Sequence, residues 1–446
     1  MLFTGILFLF RFLPIFFLIY LLAGPRYRGV ILVVGSLLYY AALEPRFVFL
    51  LIGMSLLNWL FAQEKSRLRT VLLILLDLGL LVSVKLIVAA NAWEGLSAIP
   101  LGMSFYLLKM ISFQADLHRG RIREKPSLME TAGYFVMFPQ LLQGPIMRYE
   151  QQFSEEGETE RGINPERAED GLMLLLSGLV MKVLLADEFA AFFARLTRIG
   201  YESISTPLAW MGIYGYSLQL YFDFWGYSLM AAGLLMLLGY PYIENFHHPY
   251  AAASVSDFYR RWHVTLGRFF RDYVYIPLGG SRVGKARCFC NLLFVWALTG
   301  FWHGQGWNYL IWALFLFLVI CWEKFAIPNF LKKVPVWGRV HVLLLIPISW
   351  ILFAITDLPS LGAYLLRLFP LWQIDGNVNP GDWILPLQAC ALEFILGAVL
   401  LIPKTTAFLV EKRHHIVIKL LLLVLFWFAI QRICQNGENP FLYLQF

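Results

Sequence analysis

Two histidines stand where a titratable ring is out of place. His303 lies in Thr-Gly-Phe-Trp-His-Gly-Gln-Gly-Trp-Asn (299–308), a short polar break between two apolar runs. An ionisable side chain inside a membrane-length apolar region costs several kcal/mol unless it faces a polar cavity, so it marks a functional position by default. Gly300, Gly304 and Gly306 strip side-chain bulk from its surroundings, either to admit a long substrate to the imidazole or to let two helices pack closely. His263 ends Ser-Val-Ser-Asp-Phe-Tyr-Arg-Arg-Trp-His (254–263). It sits at the border of an aromatic face, where a partly buried imidazole titrates near neutral pH. The alternative for His263 is a packed, hydrogen-bonded ring with no chemistry.

Imidazoles without a metal set point to acid–base work. His247, His248, His263 and His303 can be imagined as a ligand cluster, but no carboxylate or cysteine lies at a useful spacing, and Cys288-Phe-Cys290 lacks a second pair. No Gly-x-Ser-x-Gly nucleophile turn occurs in the chain.

The elements that must carry these residues are helices in a membrane. The 446 residues are 59% apolar, 17% aromatic and only 15% charged, against roughly 25% charged in an average soluble domain. Mean hydropathy is +0.65. A soluble globule, a disordered chain and a disulfide-stapled module are all excluded. Apolar stretches separated by charged breaks suggest about eleven crossings, some tilted, broken or re-entrant, with residues 1–22 retained as the first helix. The excess of 36 Lys and Arg over 29 Asp and Glu fits loop cations at anionic lipid headgroups better than nucleic-acid binding. Five scattered cysteines read as buried thiols. The Glu-rich 150–170 segment reads as a solvated loop.

Around His263 the spacing predicts one amphipathic helix over 257–272, opened by Ser256 and Asp257. Tyr259, Trp262, Leu266, Phe269, Phe270 and Tyr273 share one face, and Arg260, Arg261, Arg268 and Arg271 the other. Such a helix lies in an interface, with the basic stretch Ser281–Arg287 expected at the cytoplasmic surface.

The chain resembles the membrane-bound O-acyltransferase family, most closely its alginate O-acetylation branch. The resemblance runs from Phe-Leu-Phe-Arg-Phe-Leu-Pro-Ile-Phe (8–16) and Ser36-Leu-Leu-Tyr-Tyr40, through Gly102-Met-Ser-Phe-Tyr106 and Phe138-Pro-Gln-Leu-Leu-Gln-Gly-Pro-Ile146, to Phe441–Phe446. Its most specific motifs are Arg260-Arg-Trp-His263 with Arg271-Asp-Tyr-Val-Tyr-Ile-Pro-Leu-Gly-Gly280, and Phe301-Trp-His-Gly304. Where the family has Asn-His-Pro, this chain has His247-His248-Pro249, and Lys109 replaces a glutamine in Phe105-Tyr-Leu-Leu-Lys109.

The resemblance implies an all-α polytopic domain over 1–446, with about eleven transmembrane helices in a ring around a central tunnel. It implies transfer of an acyl group, here expected to be acetyl, from a cytoplasmic thioester such as acetyl-CoA or an acyl-carrier protein. The acceptor would be a hydroxyl of a surface polysaccharide, reached directly or through an extracellular acetyltransferase partner, and the setting a bacterial cytoplasmic membrane. No tightly bound cofactor is expected. In this reading His303 is the general base and His263 positions the donor or polarises its carbonyl. Asn308 would stabilise the oxyanion, Arg260, Arg261 and Arg268 would hold phosphate groups, and Trp302 and His248 would line the donor or acceptor site. D-alanyl transfer to teichoic acid and a transporter are the competing functions.

Overall fold

The computed structural model describes residues 2–64, 66–91, 99–122, 124–153, 164–328, 330–369, 378–437 and 439–442. The glutamates at 155–160 and the last four residues of the terminal Phe441–Phe446 motif lie outside them. Regular structure among the described residues is helical, apart from one isolated antiparallel bridge between Phe246 and Trp262.

Five helices are long and apolar enough to cross a membrane: Arg67–Ala89, Thr206–Leu237, Trp307–Ala326, Pro335–Ala354 and Ile416–Asn436. A sixth crossing is made if Ile384–Leu400 and Pro403–Glu411, bent by 80° at their junction, count as one broken span. The protein is thus a multi-pass membrane protein. The count of about eleven is not reached among the described residues by these criteria, because several apolar stretches form shorter helices, such as Phe8–Leu22 and Val48–Ala62. The cysteines also differ from expectation. All five are free, but only Cys288 and Cys321 are buried, while Cys290 and Cys434 are exposed. An apolar run does not say whether a residue faces protein or lipid.

The chain forms two compact units, one of residues 1–179, 227–244 and 430–445, the other of 180–226 and 245–429. In the first, helices α1 (Met103–His118) and α2 (Leu128–Val136) enclose a buried lysine amine. Lys109 Nζ donates to Gln140 Oε1 at 2.7 Å and to the Tyr134 carbonyl, and lies 4.3 Å from the Tyr134 ring centroid. Neutral acceptors and a ring face thus replace water around the amine.

Helix α3 (Thr206–Leu237) has 32 residues, about 48 Å at 1.5 Å per residue. Its most apolar window is 89% buried inside the protein, so it is a core helix more than a lipid-facing one. Its Asp223 pairs with buried Lys182 at 2.8 Å. A buried carboxylate on an apolar helix requires such a partner.

The second unit carries both candidate histidines. It contains α4 (Val255–Arg261), α5 (Val264–Phe269), α6 (Lys285–His303), α7 (Trp307–Cys321) and α8 (Pro335–Ala354). Helices α6 and α7 form a hairpin joined by Gly304–Gly306, α7 packs along α8, and α4 packs on both α7 and α8.

Candidate active site

The continuous helix expected over 257–272 is broken at Trp262 and His263. Trp262 is extended (φ −97°, ψ 126°) and His263 is left-handed (φ 46°, ψ 54°). A left-handed conformation costs a non-glycine residue about 1–2 kcal/mol and persists only when neighbours fix it. Here the neighbours are residues 245–247: the His247 N–H donates to the Arg261 carbonyl and the Val264 N–H to the Asn245 carbonyl, both at 2.9 Å. The start of α4 also differs from expectation. Its N-cap is Ser254, whose hydroxyl accepts from the Asp257 N–H at 3.0 Å.

The break turns the His263 ring inward, where it is 4% exposed. Phe224 of α3 stands edge-on to it at 4.7 Å between centroids. Nδ1 lies 3.2 Å from Asn245 Oδ1, while Nε2 is buried with no hydrogen-bond partner among the described residues. Burial pushes the imidazole down to about 3, so the ring is neutral at physiological pH.

His303 is the last residue of α6 and is half-buried. Its ring is caged by Trp302, Trp312 and Phe353 at centroid distances of 4.9, 5.1 and 5.3 Å. The two histidine segments meet on Trp350 of α8, which packs 5.0 Å from Trp262 and 6.1 Å from Trp312. The neighbours of the two histidines thus share this tryptophan, while the His263 ring itself packs on Phe224.

The glycines beside His303 serve packing. A Cβ on Gly300 would lie 2.9 Å from the Ala313 Cβ, and one on Gly304 would enter the Tyr309 ring. Their missing side chains are filled by α7, so the space is not an approach path to the imidazole. Asn308 is fully buried, and its Nδ2 donates to the Phe353 carbonyl at 2.7 Å. It thus ties α7 to the part of α8 whose Phe353 ring faces His303.

The arginines divide. Arg261 is half-buried and paired with Asp257 at 2.9 Å, whereas Arg260 and Arg268 are exposed and have no ion pair among the described residues. Trp302 is buried in the cage. His248, also left-handed at φ 46°, lies 3.4 Å from Thr406 Oγ1. No three His, Cys, Asp or Glu side chains gather among the described residues.

Three features were missed in the sequence. Asn245 stands in the motif whose histidines drew attention. Glu323, a lone carboxylate after an apolar run, accepts from the backbone N–H groups of Val255 and Ser256 and the Ser256 hydroxyl, and meets His341 Nε2 at 3.1 Å. An ionisable residue in that setting was the available signal. Finally, Gly279-Gly-Ser-Arg-Val-Gly-Lys285 has the Gly-x-x-x-x-Gly-Lys spacing of a phosphate loop, yet Ala286 replaces the Ser or Thr and a helical turn precedes it in place of a strand. Both departures remove the nucleotide-site reading.

The "MBOAT, membrane-bound O-acyltransferase family" description matches residues 47–361. The chain is 33% identical to a Pseudomonas syringae protein named "Probable alginate O-acetylase AlgI", over 84% of this chain and 76% of that one. It is 32% identical to the peptidoglycan O-acetyltransferase of Helicobacter pylori, over 70% and 68% of the two chains. With the teichoic acid D-alanyltransferase of Bacillus subtilis it shares 29% identity over 50% and 59%.

Proposed function

The chain belongs to the membrane-bound O-acyltransferase family and is an O-acyltransferase, and we propose that it moves an acetyl group from a cytoplasmic acyl thioester to hydroxyls of a bacterial cell-surface or secreted polysaccharide. The names of two relatives, one an alginate O-acetylase and one a peptidoglycan O-acetyltransferase, support acetyl as the group and a glycan as the acceptor. The bacterial cytoplasmic membrane is the matching location. The remaining crossings, up to about eleven, fall to the shorter apolar helices. Exposed Arg260 and Arg268, with the basic stretch at Ser281–Arg287, suit the phosphates of a donor arriving at the cytoplasmic surface.

Attack on a thioester needs a group that takes the hydroxyl proton as oxygen adds to the carbonyl, and a donor for the developing oxyanion. The sequence gives the first part to His303. The observation that carries our reading favours an exchange: the buried imidazole of His263 has an Nε2 with no hydrogen-bond partner among the described residues. In this assignment His263 accepts the proton, and His303 donates from its ring to the carbonyl oxygen.

The function is tested by mass spectrometry of surface glycans from cells with and without the protein. Acetyl esters that vanish with the gene and with His303→Ala support it. D-alanyl esters in their place would favour the teichoic acid reading, and substrate flux without ester formation would favour a transporter. Esters appearing only when a co-purifying extracellular transferase is present would make this chain the relay component.

A further inference from the structure

We infer that the groove between the helices Phe8–Leu22 and Pro25–Leu43 is a binding site for an anionic glycerophospholipid, with one acyl chain laid along the groove and the headgroup phosphate on Arg11. The inference does not depend on which imidazole takes the proton; it rests only on the reading that the shorter apolar helices also enter the bilayer. Residues four apart in and after the Phe-Leu-Phe-Arg-Phe-Leu-Pro-Ile-Phe stretch divide into two faces. Phe8, Phe12, Phe16 and Tyr20 stack in a ladder, with ring centroids 5.6, 5.7 and 5.8 Å apart, and Phe138 packs edge-on against the first three rings. That face is occupied inside the protein. Leu7, Arg11, Ile15 and Ile19 form the other, and all four are exposed.

At about 3.6 residues per turn, positions four apart drift steadily around a helix. The wider π turn over Phe8–Phe12, closed by the Leu13 N–H on the Phe8 carbonyl, offsets part of that drift and keeps Arg11 in line with Ile15 and Ile19. The opposite wall is Val30, Val34 and Leu38, again four apart. Between the walls Gly35 sets the floor. A Cβ there would lie 2.5 Å from Phe16 Cε2, so its absence lets the Phe16 ring sink toward the second helix and leaves depth above it. The result is a groove of about 700 Å³, within the size range of small-ligand sites. From Leu7 to Ile19 it runs about 18 Å at 1.5 Å per residue.

Apolar side chains line this groove except at Arg11. The guanidinium has no ion pair or hydrogen bond among the described residues. A cation on an apolar helix is costly unless it meets an anion or reaches the headgroup layer. Arg11 lies within two turns of the start of its helix, so its stem can follow the groove wall while its head reaches that layer. There a planar guanidinium holds a phosphate through two parallel N–H bonds. Its uncompensated charge favours a net-negative headgroup over a zwitterionic one. A bilayer phospholipid joins the two features, an alkyl chain and a phosphate, in one molecule.

The test places the whole chain in phosphatidylcholine vesicles containing a trace of phosphatidylglycerol or phosphatidylcholine with a photoactivatable diazirine in the acyl chain, and identifies the labelled peptides by mass spectrometry. On the two groove helices the anionic probe is expected to give about fivefold more adduct than the zwitterionic one. Arg11→Gln should bring the two probes level. Val34→Trp fills the groove from an exposed position, 49% accessible, and should lower labelling of these helices by either probe. The helix Ile416–Asn436, whose most apolar window is only 17% buried, is the control, and its labelling should be the same in all three proteins. Equal labelling by the two probes in the parent protein, an undiminished preference in Arg11→Gln, or undiminished adducts in Val34→Trp overturns the site. Adducts on Ile416–Asn436 with none on either groove helix would overturn it together with the crossing reading, because the hairpin would then be covered by protein or lie outside the bilayer.

Discussion

Glu323 Oε2 accepts both the backbone N–H of Ser256, at 2.9 Å, and its hydroxyl, at 2.7 Å. One carboxylate thereby pins the first turn of α4 to the end of α7. The helix N-terminus offers N–H groups without intrahelical partners, and a negative charge there also meets the favourable end of the helix dipole. Glu323 is 5% exposed, so removing it leaves buried donors unpaired. Glu323→Ala is expected to destabilise the protein by about 1–3 kcal/mol, seen as a lower melting temperature in detergent. Glu323→Gln, which still accepts, should lose less. Equal melting of the parent and Glu323→Ala would show that water or lipid serves these donors as well.

The α6–α7 hairpin makes a second expectation. Gly304 has an extended backbone, so alanine there is not strained by its dihedrals, but its Cβ would enter the Tyr309 ring. Overpacking of this kind costs about 1–3 kcal/mol. Gly304→Ala should lower the melting temperature, and Tyr309→Ala in the same chain should recover part of that loss because it vacates the space. Two independent, additive losses would mean that the ring does not define the requirement for glycine.

What the sequence displays depends on whether the deciding contact is local. His303 is legible because a polar ring between apolar runs is conspicuous whatever it packs against. The break at His263 is not, since the three- and four-residue spacing of Tyr259, Trp262, Leu266 and Phe269 runs through it unbroken. What bends the chain there is pairing with Asn245 and His247, some sixteen residues earlier. Gly304 shows a further limit: loss of bulk is equally consistent with an open approach and a close contact, and only the position of Tyr309 decides. Cys290 and Cys434 look buried in sequence because an apolar run hides which face meets protein.

Acidification should destabilise the fold through His263. Unfolded, the ring takes a proton near its ordinary value of about 6.5; folded, burial delays that to about 3. Between those values the unfolded state binds more protons, so stability falls as the pH is lowered, by up to about 1.4 kcal/mol per unit from this group. Melting in detergent followed from pH 7.5 to 5 should therefore decline more steeply for the parent than for His263→Gln. Parallel curves would mean that the ring is solvated or charged in the folded protein.

The final prediction separates the two imidazoles by the chemistry of their replacements. A glutamine amide can donate a hydrogen bond as a ring N–H does, but it cannot take up a proton near neutral pH. His303, caged by Trp302, Trp312 and Phe353 at the end of α6, is assigned the donating part. His303→Gln should therefore keep measurable transfer, whereas His303→Ala should have none. His263, whose Nε2 is buried and open, is assigned the accepting part. His263→Gln should lose about 10² to 10⁴ in kcat, and raising the donor concentration should not restore it, because the loss lies in the transition state and not in binding. Kinetics of the three variants in reconstituted membranes decide the assignment. An active His263→Gln beside an inactive His303→Gln would return the base's part to His303, where the sequence alone first put it.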